Sequence, residues 1–364
     1  MLTSAAGVAK SLYRTMGEVG DQRRGRRLAA TASRADRDRP AIYFLTPDYQ
    51  RPAGGIRVIY RHVEILNAAG LRAYVLHWRR GFKCTWFEHD APVTDVGAIS
   101  LGRRDLLVVP ELEIGLLAGL PADTPHVIFN QNTHLTWTRS PDTASEHYRS
   151  SPGLVGAITV SAHNAAVLSH AFPLLAVRRV HLGLDPAVFH PGDAPRPRRI
   201  AYMPRRGQVD ARQVLEILKA RNSFDGWELS PLDGLSHEQV AAQLRQSRIF
   251  LAFTYQEGFG LPPAEAMACG NYVIGHHGYG GREFFRPEFS APVEAGDVLG
   301  YVQAVESTLA EDGADPDWCA ARGRAAAAFI RAEYSPARES EEVRAVYDEF
   351  LRRAHARFGA EMSG

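Results

Sequence analysis

The chain has 364 residues, 45% of them hydrophobic, a length that suits two domains better than one ordinary core. Its 42 basic and 41 acidic residues leave a net charge of +1, so no global field attracts nucleic acid or an acidic membrane. The three cysteines are widely spaced in sequence, which excludes a compact zinc motif or a disulfide framework and predicts a reducing, cytoplasmic location. We expect neither secretion nor a transmembrane segment, because no apolar stretch has the required length.

The N-terminal extension, residues 1–39, combines a short predicted helix with an arginine-rich arm at 23–27. A charge run of this kind favours a solvated or packed extension over a contact with nucleic acid or lipid. From residue 41 onward, short apolar runs alternate with amphipathic stretches, as in β-α-β units around a parallel sheet. The first block has predicted strands at 41–45, 72–77, 106–110, 126–130, 157–161 and 179–182, and a main helix at 55–69.

The segment 185–197 separates two such blocks, because its four prolines cannot continue a helix or a central strand. The second block has predicted strands at 199–203, 227–232, 248–253 and 271–275, helices at 210–220, 237–246 and 263–269, and a charged helix at 339–358. We therefore predict four parts: the extension 1–39, a first domain 40–182, a second domain 183–335, and a C-terminal helical segment 336–364 that packs back on the first domain.

The most informative segment follows the strand predicted at 248–253 and reads EGFGLPPAEAMACG from Glu257. Gly258 and Gly260 can adopt backbone angles closed to other residues and let a ligand approach the chain. The two prolines that follow suit the first turn of a helix, whose free amides attract phosphate. The sequence therefore predicts a strand, loop and helix unit with an anion site at the helix start.

Two carboxylates flank this turn. Glu257 precedes it and Glu265 is predicted in the first helical turn, so both are expected to border one cleft at the carboxyl end of a strand. Each has a structural explanation as well: Glu265 stabilises a helix dipole and Glu257 is a solvated loop residue. The close packing of glycines, prolines and carboxylates favours a binding site.

This segment, with its E-x7-E spacing, resembles the donor motif of the retaining GT-B glycosyltransferases, a family that includes many bacterial mannosyl-, glucosyl- and rhamnosyltransferases. Downstream, GGRE at 280–283 resembles the family's G-G-x-x-E element. Upstream, HLGLDPAVFHP at 181–191 resembles the segment N-G-V-D-x-x-x-F-x-P that opens the second domain in the family. The first half resembles the family more loosely, through Gly54 and Gly55 ahead of a helix that contains His62.

The resemblance implies an α/β fold of GT-B architecture, in which two Rossmann-like domains face each other across a cleft. It implies that Glu257 holds hydroxyls of the donor sugar and Glu265 holds the ribose hydroxyls, tasks that suit carboxylates. The other donor-binding residues that it implies are Gly258, Phe259, Gly260 and Leu261, and Gly54 and Gly55, which close over the diphosphate or the acceptor. A plain strand-to-helix turn is the alternative role of Gly54 and Gly55.

The cations expected at the leaving diphosphate depart from the family pattern. Arg205 and Arg206 follow the first strand of the second domain, where the family carries an arginine and then a lysine. No lysine follows until Lys219, so a neighbouring arginine or Arg212 is expected to supply the second charge. The alternative is that these arginines only solvate a strand end.

The histidine that the family places after a central strand is also displaced. The strand at 126–130 continues into Gln131 and Asn132, and His134 comes three residues too late. We therefore leave two possibilities open: His134 is catalytic or acceptor-binding, or it is an ordinary loop residue while Gln131 or Asn132 donates in its place. Trp137 either stacks on an acceptor sugar or packs in the core.

The function implied by the resemblance is transfer of a hexosyl group from a nucleotide sugar to a hydroxyl of a glycan or glycolipid, with retention and without a metal or other cofactor. Arginines and helix amides supply the positive field, and no enzymic nucleophile is assigned. GDP-mannose is the first predicted donor, followed by dTDP-rhamnose and UDP-sugars. Three alternatives remain: an epimerase; a phosphorylase, which would need a lysine for pyridoxal phosphate that Lys219 supplies poorly; and a non-catalytic sugar- or nucleotide-binding subunit.

Overall fold

The computed structural model describes residues 20–29, 39–138, 141–205 and 207–358, without the side chains of residues 141 and 142. Arg206 lies outside the described residues. The chain divides into two compact units. Of the described residues, those up to 160, 164–180 and 340–358 belong to the first unit, and 161–163 and 181–339 belong to the second. The proline-rich segment 185–197 has no helix or strand and falls within the second unit.

The first unit is built on a parallel sheet that has seven strands in the part of the chain described, ordered β3-β2-β1-β4-β5-β6-β7. The strands are β1 Ala41–Leu45, β2 Arg72–His77, β3 Val93–Asp95, β4 Leu106–Pro110, β5 His126–Asn130, β6 Leu154–Thr159 and β7 Val177–Arg179. The helices are α1 at 20–29, α2 Gly54–Ala68, α3 Pro141–Ser150 and most of both α4 Ala162–Ala171 and α10 Pro336–Phe358.

The central strands of this sheet carry continuous apolar runs because both of their faces are covered. Every residue of β1, β4 and β5 is buried, as is usual for parallel strands that lie between helices. The last helix also packs on this sheet, since a Cβ added at Gly156 would lie 2.4 Å from the ring of Phe350. Arg357 of the same helix donates to the carbonyl of Leu154 at 3.0 Å. The small residue in β6 therefore makes room for an aromatic ring of α10.

The second unit has a five-stranded parallel sheet in the described residues, ordered β12-β11-β10-β8-β9. Its strands are β8 Arg199–Tyr202, β9 Glu228–Pro231, β10 Ile249–Ala252, β11 Tyr272–Gly275 and β12 Ser290–Pro292. Its helices are α5 Gln208–Ala220, α6 His237–Arg245, α7 Leu261–Ala268, α8 Val298–Ala314 and α9 Trp318–Glu333. Because all five strands run the same way, their carboxyl ends meet at one edge of the sheet.

The predicted fold class, α/β with parallel sheets, is confirmed. The strands predicted at 41–45, 72–77, 106–110 and 126–130 match the structure residue by residue. The strand predicted at 157–161 lies at 154–159, and the one predicted at 179–182 lies at 177–179. The three-residue strands β3 and β12 were not predicted, because so short a run shows no periodicity. Within the described ranges, no helix combines the length and hydropathy that a bilayer crossing needs.

Arg196 anchors the proline-rich segment to the residues that follow α6 and α7. Its guanidinium donates to the carbonyls of Ser247 at 3.1 Å and Gly270 at 2.7 Å, and also to the carbonyl of Cys269. Cys269 and Gly270 follow the end of α7, so the cation lies where a helix dipole is negative. Burial lowers the pKa of Arg196, and the three carbonyls compensate by accepting its hydrogen bonds.

We expect Arg196→Met to reduce the free energy of unfolding of the second unit by about 2–3 kcal/mol, because it leaves buried carbonyls without a donor. Urea unfolding of the purified protein measures this loss. Arg324→Met is the matched control, since Arg324 forms an exposed ion pair with Asp317 and its removal should not shift the transition measurably. Equal unfolding midpoints for the two variants would contradict the role given to Arg196.

Candidate functional site

The turn between β10 and α7 forms as the sequence predicts. Gly260 caps the helix with φ 95° and ψ 60°, a left-handed conformation that suits glycine. The helix begins at Leu261, two residues earlier than predicted, and Pro262 falls in its first turn, where a missing N–H costs nothing. Because Pro262 and Pro263 have no N–H, the amides available at the start of α7 are those of Gly260 and Leu261.

The predicted position of Glu265 was wrong by one turn. Because Gly260 starts the helix early, Glu265 lies in the second turn of α7, and the first turn has no acidic residue. Its side chain is largely buried, with 6% of its surface exposed. Glu257, in contrast, lies on the loop and lines the pocket described below, whereas Glu265 is not among the lining residues. The structure thus places Glu257 in the pocket and Glu265 within the helix beside it.

Backbone contacts between two loops hold Glu257 in place. Its N–H donates to the carbonyl of Gly278 at 3.0 Å, and its carbonyl accepts from the N–H of Gly280 at 3.2 Å. Glu257 and Tyr279 form a parallel bridge, so the loop after β10 pairs with the loop after β11. A Cβ added at Gly280 would lie 2.2 Å from the carbonyl oxygen of Gly258. Glycine at 280 is therefore required for this close approach.

A small pocket, with a cavity volume of about 20 Å³ and open to solvent, lies at the carboxyl end of β10. It is lined by Met203, residues 250–254, Glu257, Gly260, Pro262, Pro263, His276 and His277. Open α/β sheets bind their ligands at this edge. The pocket combines a carboxylate and two imidazoles with an apolar wall, and the start of α7 lines one side of it. This chemistry suits a ligand with several hydroxyls and a phosphate.

The start of α5 forms a second side of this region. Gly207 caps α5 with φ 57°, and a Cβ added there would lie 2.1 Å from the carbonyl oxygen of Phe253. The backbone before α5 therefore contacts the end of β10 directly. Arg205 lies just ahead of Gly207, but its guanidinium forms an exposed ion pair with Asp233 at 2.7 Å and does not line the pocket. Lys219 is exposed and pairs with Glu216.

The other residues of the motif form the packing that supports the pocket. Phe259 is buried, with its ring centroid 5.2 Å from those of Phe284 and Tyr334. Gly258 is buried as well. Glu283, the acidic residue of the GGRE element, accepts a hydrogen bond from the hydroxyl of Tyr334 at 2.8 Å. Phe259 and Glu283 therefore hold the two loops through contacts with neighbouring aromatic rings, and neither residue lines the pocket.

In the first unit, the predicted residues gather near the start of α2. This helix begins at Gly54, and the side-chain amide of Gln131 donates to the carbonyl of Gly55 at 3.0 Å. His134 is half-buried, its N–H donates to Asn132 Oδ1 at 3.1 Å, and burial lowers the pKa of its imidazole. Gln131 thus contacts the glycine pair that the sequence singled out.

Glu111 is a buried carboxyl beside the loop that carries Asn132 and His134, and the sequence analysis did not single it out. It follows β4 and is buried, and its carboxylate accepts the N–H of Asn132 at 3.1 Å, beside the loop that carries His134. Burial raises the pKa of Glu111 to about 7, although backbone amides that include those of Gln131 and Asn132 oppose the rise. A charged residue directly after a buried strand was the available signal.

Two other aromatic residues from the sequence analysis lie in the packing of the first unit. Trp137 donates its Nε1–H to Ser145 Oγ at 2.9 Å and packs against the core beside Phe172. His62 is fully buried and stacked on Phe129 at 5.0 Å, and burial lowers its pKa to about 3. In the described residues, no group of three or more His, Cys, Asp and Glu side chains is placed to hold a metal ion.

Residues 231–324 match the model of a family described as Glycosyl transferases group 1. A stretch of 48 residues is 44% identical to the Alpha-1,6-glucosyltransferase of Actinobacillus pleuropneumoniae serotype 7 (strain AP76), and it spans 13% of this chain and 14% of that protein. The chain therefore matches only about one seventh of the length of this curated relative.

Solved structures share the fold over most of the chain. HepE from Anabaena, in complex with UDP and glucose, is similar with a TM-score of 0.65 and 12% identity, over 85% of this chain and 100% of that one. Sucrose-phosphate synthase from Thermosynechococcus elongatus is similar with a TM-score of 0.64 and 15% identity, over 86% of this chain and 100% of that one. The parallel-sheet α/β fold of this chain thus matches that of GT-B glycosyltransferases.

We expect Gly280→Ala to lower the free energy of unfolding by about 1–3 kcal/mol, because the added methyl meets the backbone carbonyl of Gly258. Urea unfolding measures the change. Gly313→Ala is the control: a Cβ at Gly313, within α8, meets nothing within 4 Å, so this variant should be unchanged or slightly more stable. A Gly280→Ala protein as stable as the control would show that the two loops are not in close contact.

The raised pKa of Glu111 predicts that the free energy of unfolding depends on pH. Its folded-state pKa lies above the ordinary 4.5, so the protonated form is favoured on folding, and this stabilisation is present below pH 4.5 and lost as the pH rises through about 7. The loss amounts to at most about 3 kcal/mol. In Glu111→Gln, which cannot ionise, unfolding free energy should fall less than in the wild type between pH 5 and 8. Parallel pH profiles for the two proteins would contradict the assignment.

Proposed function

We propose that the chain is a retaining, metal-independent glycosyltransferase that moves a hexosyl group from a nucleotide sugar to a hydroxyl of a glycan or glycolipid acceptor. The observation that carries the proposal is the open pocket at the carboxyl end of β10, which Glu257 lines beside the glycine-capped start of α7. This pocket lies in and beside the segment that matches the group 1 glycosyl transferases.

Each part of the pocket has a role in this reaction. Glu257 accepts hydrogen bonds from hydroxyls of the transferred sugar, because an ionised carboxylate accepts from two neighbouring hydroxyls. The amides of Phe259, Gly260 and Leu261 bind the diphosphate at the positive end of α7. Glu265, one turn further along the helix, contacts the ribose. The acceptor hydroxyl then attacks on the face from which the diphosphate departs, and a diphosphate oxygen takes its proton.

The negative charge that develops on the leaving diphosphate needs a cation in addition to the helix amides. Arg205 is the described candidate, because it stands beside Gly207 at the start of α5. Its ion pair with Asp233 is exposed, and such pairs are weak enough to exchange for a phosphate. Arg206, also proposed for this role, is the adjacent residue. In the first unit, Gly54, Gly55 and His134 are proposed to contact the acceptor or the diphosphate.

The donor is proposed to be one of a few sugar nucleotides. GDP-mannose is the sugar nucleotide predicted from the sequence, with dTDP-rhamnose and UDP-sugars as alternatives. The curated relative is named a glucosyltransferase, and Anabaena HepE is described in complex with UDP and glucose, which adds UDP-glucose as an equal first choice. A sugar-nucleotide epimerase or a non-catalytic binding subunit remains the competing function, and the absence of the usual histidine motivates the second of these.

The proposal is tested with a thermal-shift panel of UDP, GDP, dTDP and their glucose, mannose and rhamnose derivatives. A ligand at 100 times its dissociation constant should add about 2.7 kcal/mol of stability. Product analysis with the best donor and a set of glycan and glycolipid acceptors separates transfer from epimerisation. Stabilisation by no nucleotide would reject the proposal, and binding without transfer, hydrolysis or epimerisation would favour the non-catalytic subunit.

Variants of the two glutamates should separate binding from turnover. We expect Glu257→Gln to keep the affinity for the nucleoside diphosphate and to lower kcat by about 100-fold, because it removes a charge that acts at the transferred sugar. Glu265→Ala should abolish the thermal shift caused by the nucleoside diphosphate. Glu288→Gln, at an exposed position of the second unit, is the control and should match the wild type. Equal nucleotide binding by Glu265→Ala and the wild type would contradict the assignment.

A further inference from the structure

Two consecutive histidines in the wall of the pocket have no place in the roles assigned so far. His276 and His277 follow β11 and both line the pocket with Glu257. Their ring nitrogens make different contacts, and these contacts determine where each neutral ring carries its proton. Because both residues line the same pocket, their protonation states decide which hydrogen bonds this part of its wall offers.

The contacts of His277 make its Nε2 a donor. Its Nδ1 accepts the backbone N–H of Tyr279 at 3.0 Å, so this nitrogen carries a lone pair and the proton of the neutral ring is on Nε2. Burial lowers the pKa of His277, and the nearby guanidinium of Arg282 lowers it further, so the ring is neutral near pH 7. His277 therefore offers an N–H to a ligand oxygen.

The contacts of His276 place a proton on its Nδ1 and leave its Nε2 without a hydrogen bond in the described residues. Its Nδ1 lies 3.1 Å from the carbonyl of Val293, which can only accept, so the neutral ring carries its proton on Nδ1. Only 3% of the residue is exposed, and its Nε2 has no hydrogen-bond partner in the described residues. Asp210 Oδ2 lies 3.5 Å from this nitrogen and would pair with it only if His276 carried a second proton.

A buried acceptor without a donor is costly, and a ligand hydroxyl would remove that cost. The geometry points to His276 and His277 as a specificity-determining pair that binds a hydroxyl-bearing ligand, with His276 Nε2 accepting from a hydroxyl and His277 Nε2–H donating to a ligand oxygen. The inference rests on the proposed function, because the hydroxyl belongs to a nucleotide sugar. It comes from the transferred sugar or from the ribose, and the two sources are separated below.

The first test measures the tautomers in the free protein. Histidine ¹⁵N shifts of the full chain, labelled at histidine and assigned with His276→Gln and His277→Gln, separate protonated ring nitrogens from lone-pair ones. We expect a lone pair on Nε2 of His276 and on Nδ1 of His277. A doubly protonated His276 paired with Asp210, or the opposite tautomer in either ring, would overturn the inference without touching the proposed function.

The second test adds UDP, then UDP-glucose, and separately GDP and GDP-mannose. The donor that binds should move the Nε2 resonance of His276 away from its lone-pair value, and His190, an exposed residue of the second unit, should not respond. A shift with the nucleoside diphosphate alone assigns the hydroxyl to the ribose, and a shift only with the nucleotide sugar assigns it to the sugar. Donor binding that leaves both imidazoles unmoved overturns the inference, whereas failure of all donors to bind rejects the proposed function too.

The third test is a rescue series. We expect His276→Leu to weaken donor binding about tenfold, the equivalent of one hydrogen bond. His276→Gln, whose side-chain oxygen restores an acceptor, should recover most of this loss, which a purely packing role for the ring would not predict. Affinities of the two variants that are equal to each other, or equal to the wild type, would contradict the acceptor role of His276.

Discussion

The contact between the loops after β10 and β11 is the constraint on which the pocket depends. Both backbone groups of Glu257 are hydrogen-bonded: its N–H donates to the carbonyl of Gly278, and its carbonyl accepts from the N–H of Gly280. Its side chain therefore extends from a fixed backbone. A catalytic or binding group held in this way pays little entropy when a ligand arrives. The parallel sheet brings the two loops to the same edge, and glycine at 280 allows them to touch.

In each of the two units, charge near the candidate residues comes from weak sources. Arg205 is exposed and already paired, and the start of α7 offers a partial positive charge with no cation of its own. In the first unit, buried Glu111 receives backbone amides beside the loop after β5 and lies near the border between its two protonation states at neutral pH. The two units therefore differ in their charged groups: the second has an exposed ion pair near its pocket, and the first has a buried carboxyl.

Much of this could be predicted from the sequence, because the strongest signals were local. The central strands carry continuous apolar runs, and the turn at Gly260 combines glycine and proline in an order that permits few conformations. The placement of Glu265 failed because a helix boundary depends on which glycine caps it. The roles of Glu111 and His276 were not visible, since they arise from residues that are distant in sequence, such as Asn132 and Val293.

The glycine cap at 207 has a consequence for how such a pocket diversifies. Because the backbone ahead of α5 rests on the carbonyl oxygen of Phe253, which lines the pocket, main chain from two elements fixes this part of the pocket wall. Insertions in either loop would separate these elements and disrupt the wall. New ligand preferences are therefore easier to reach by exchanging the side chains that rise from an unchanged main chain, which makes positions such as 276 and 277 the natural targets for redesign.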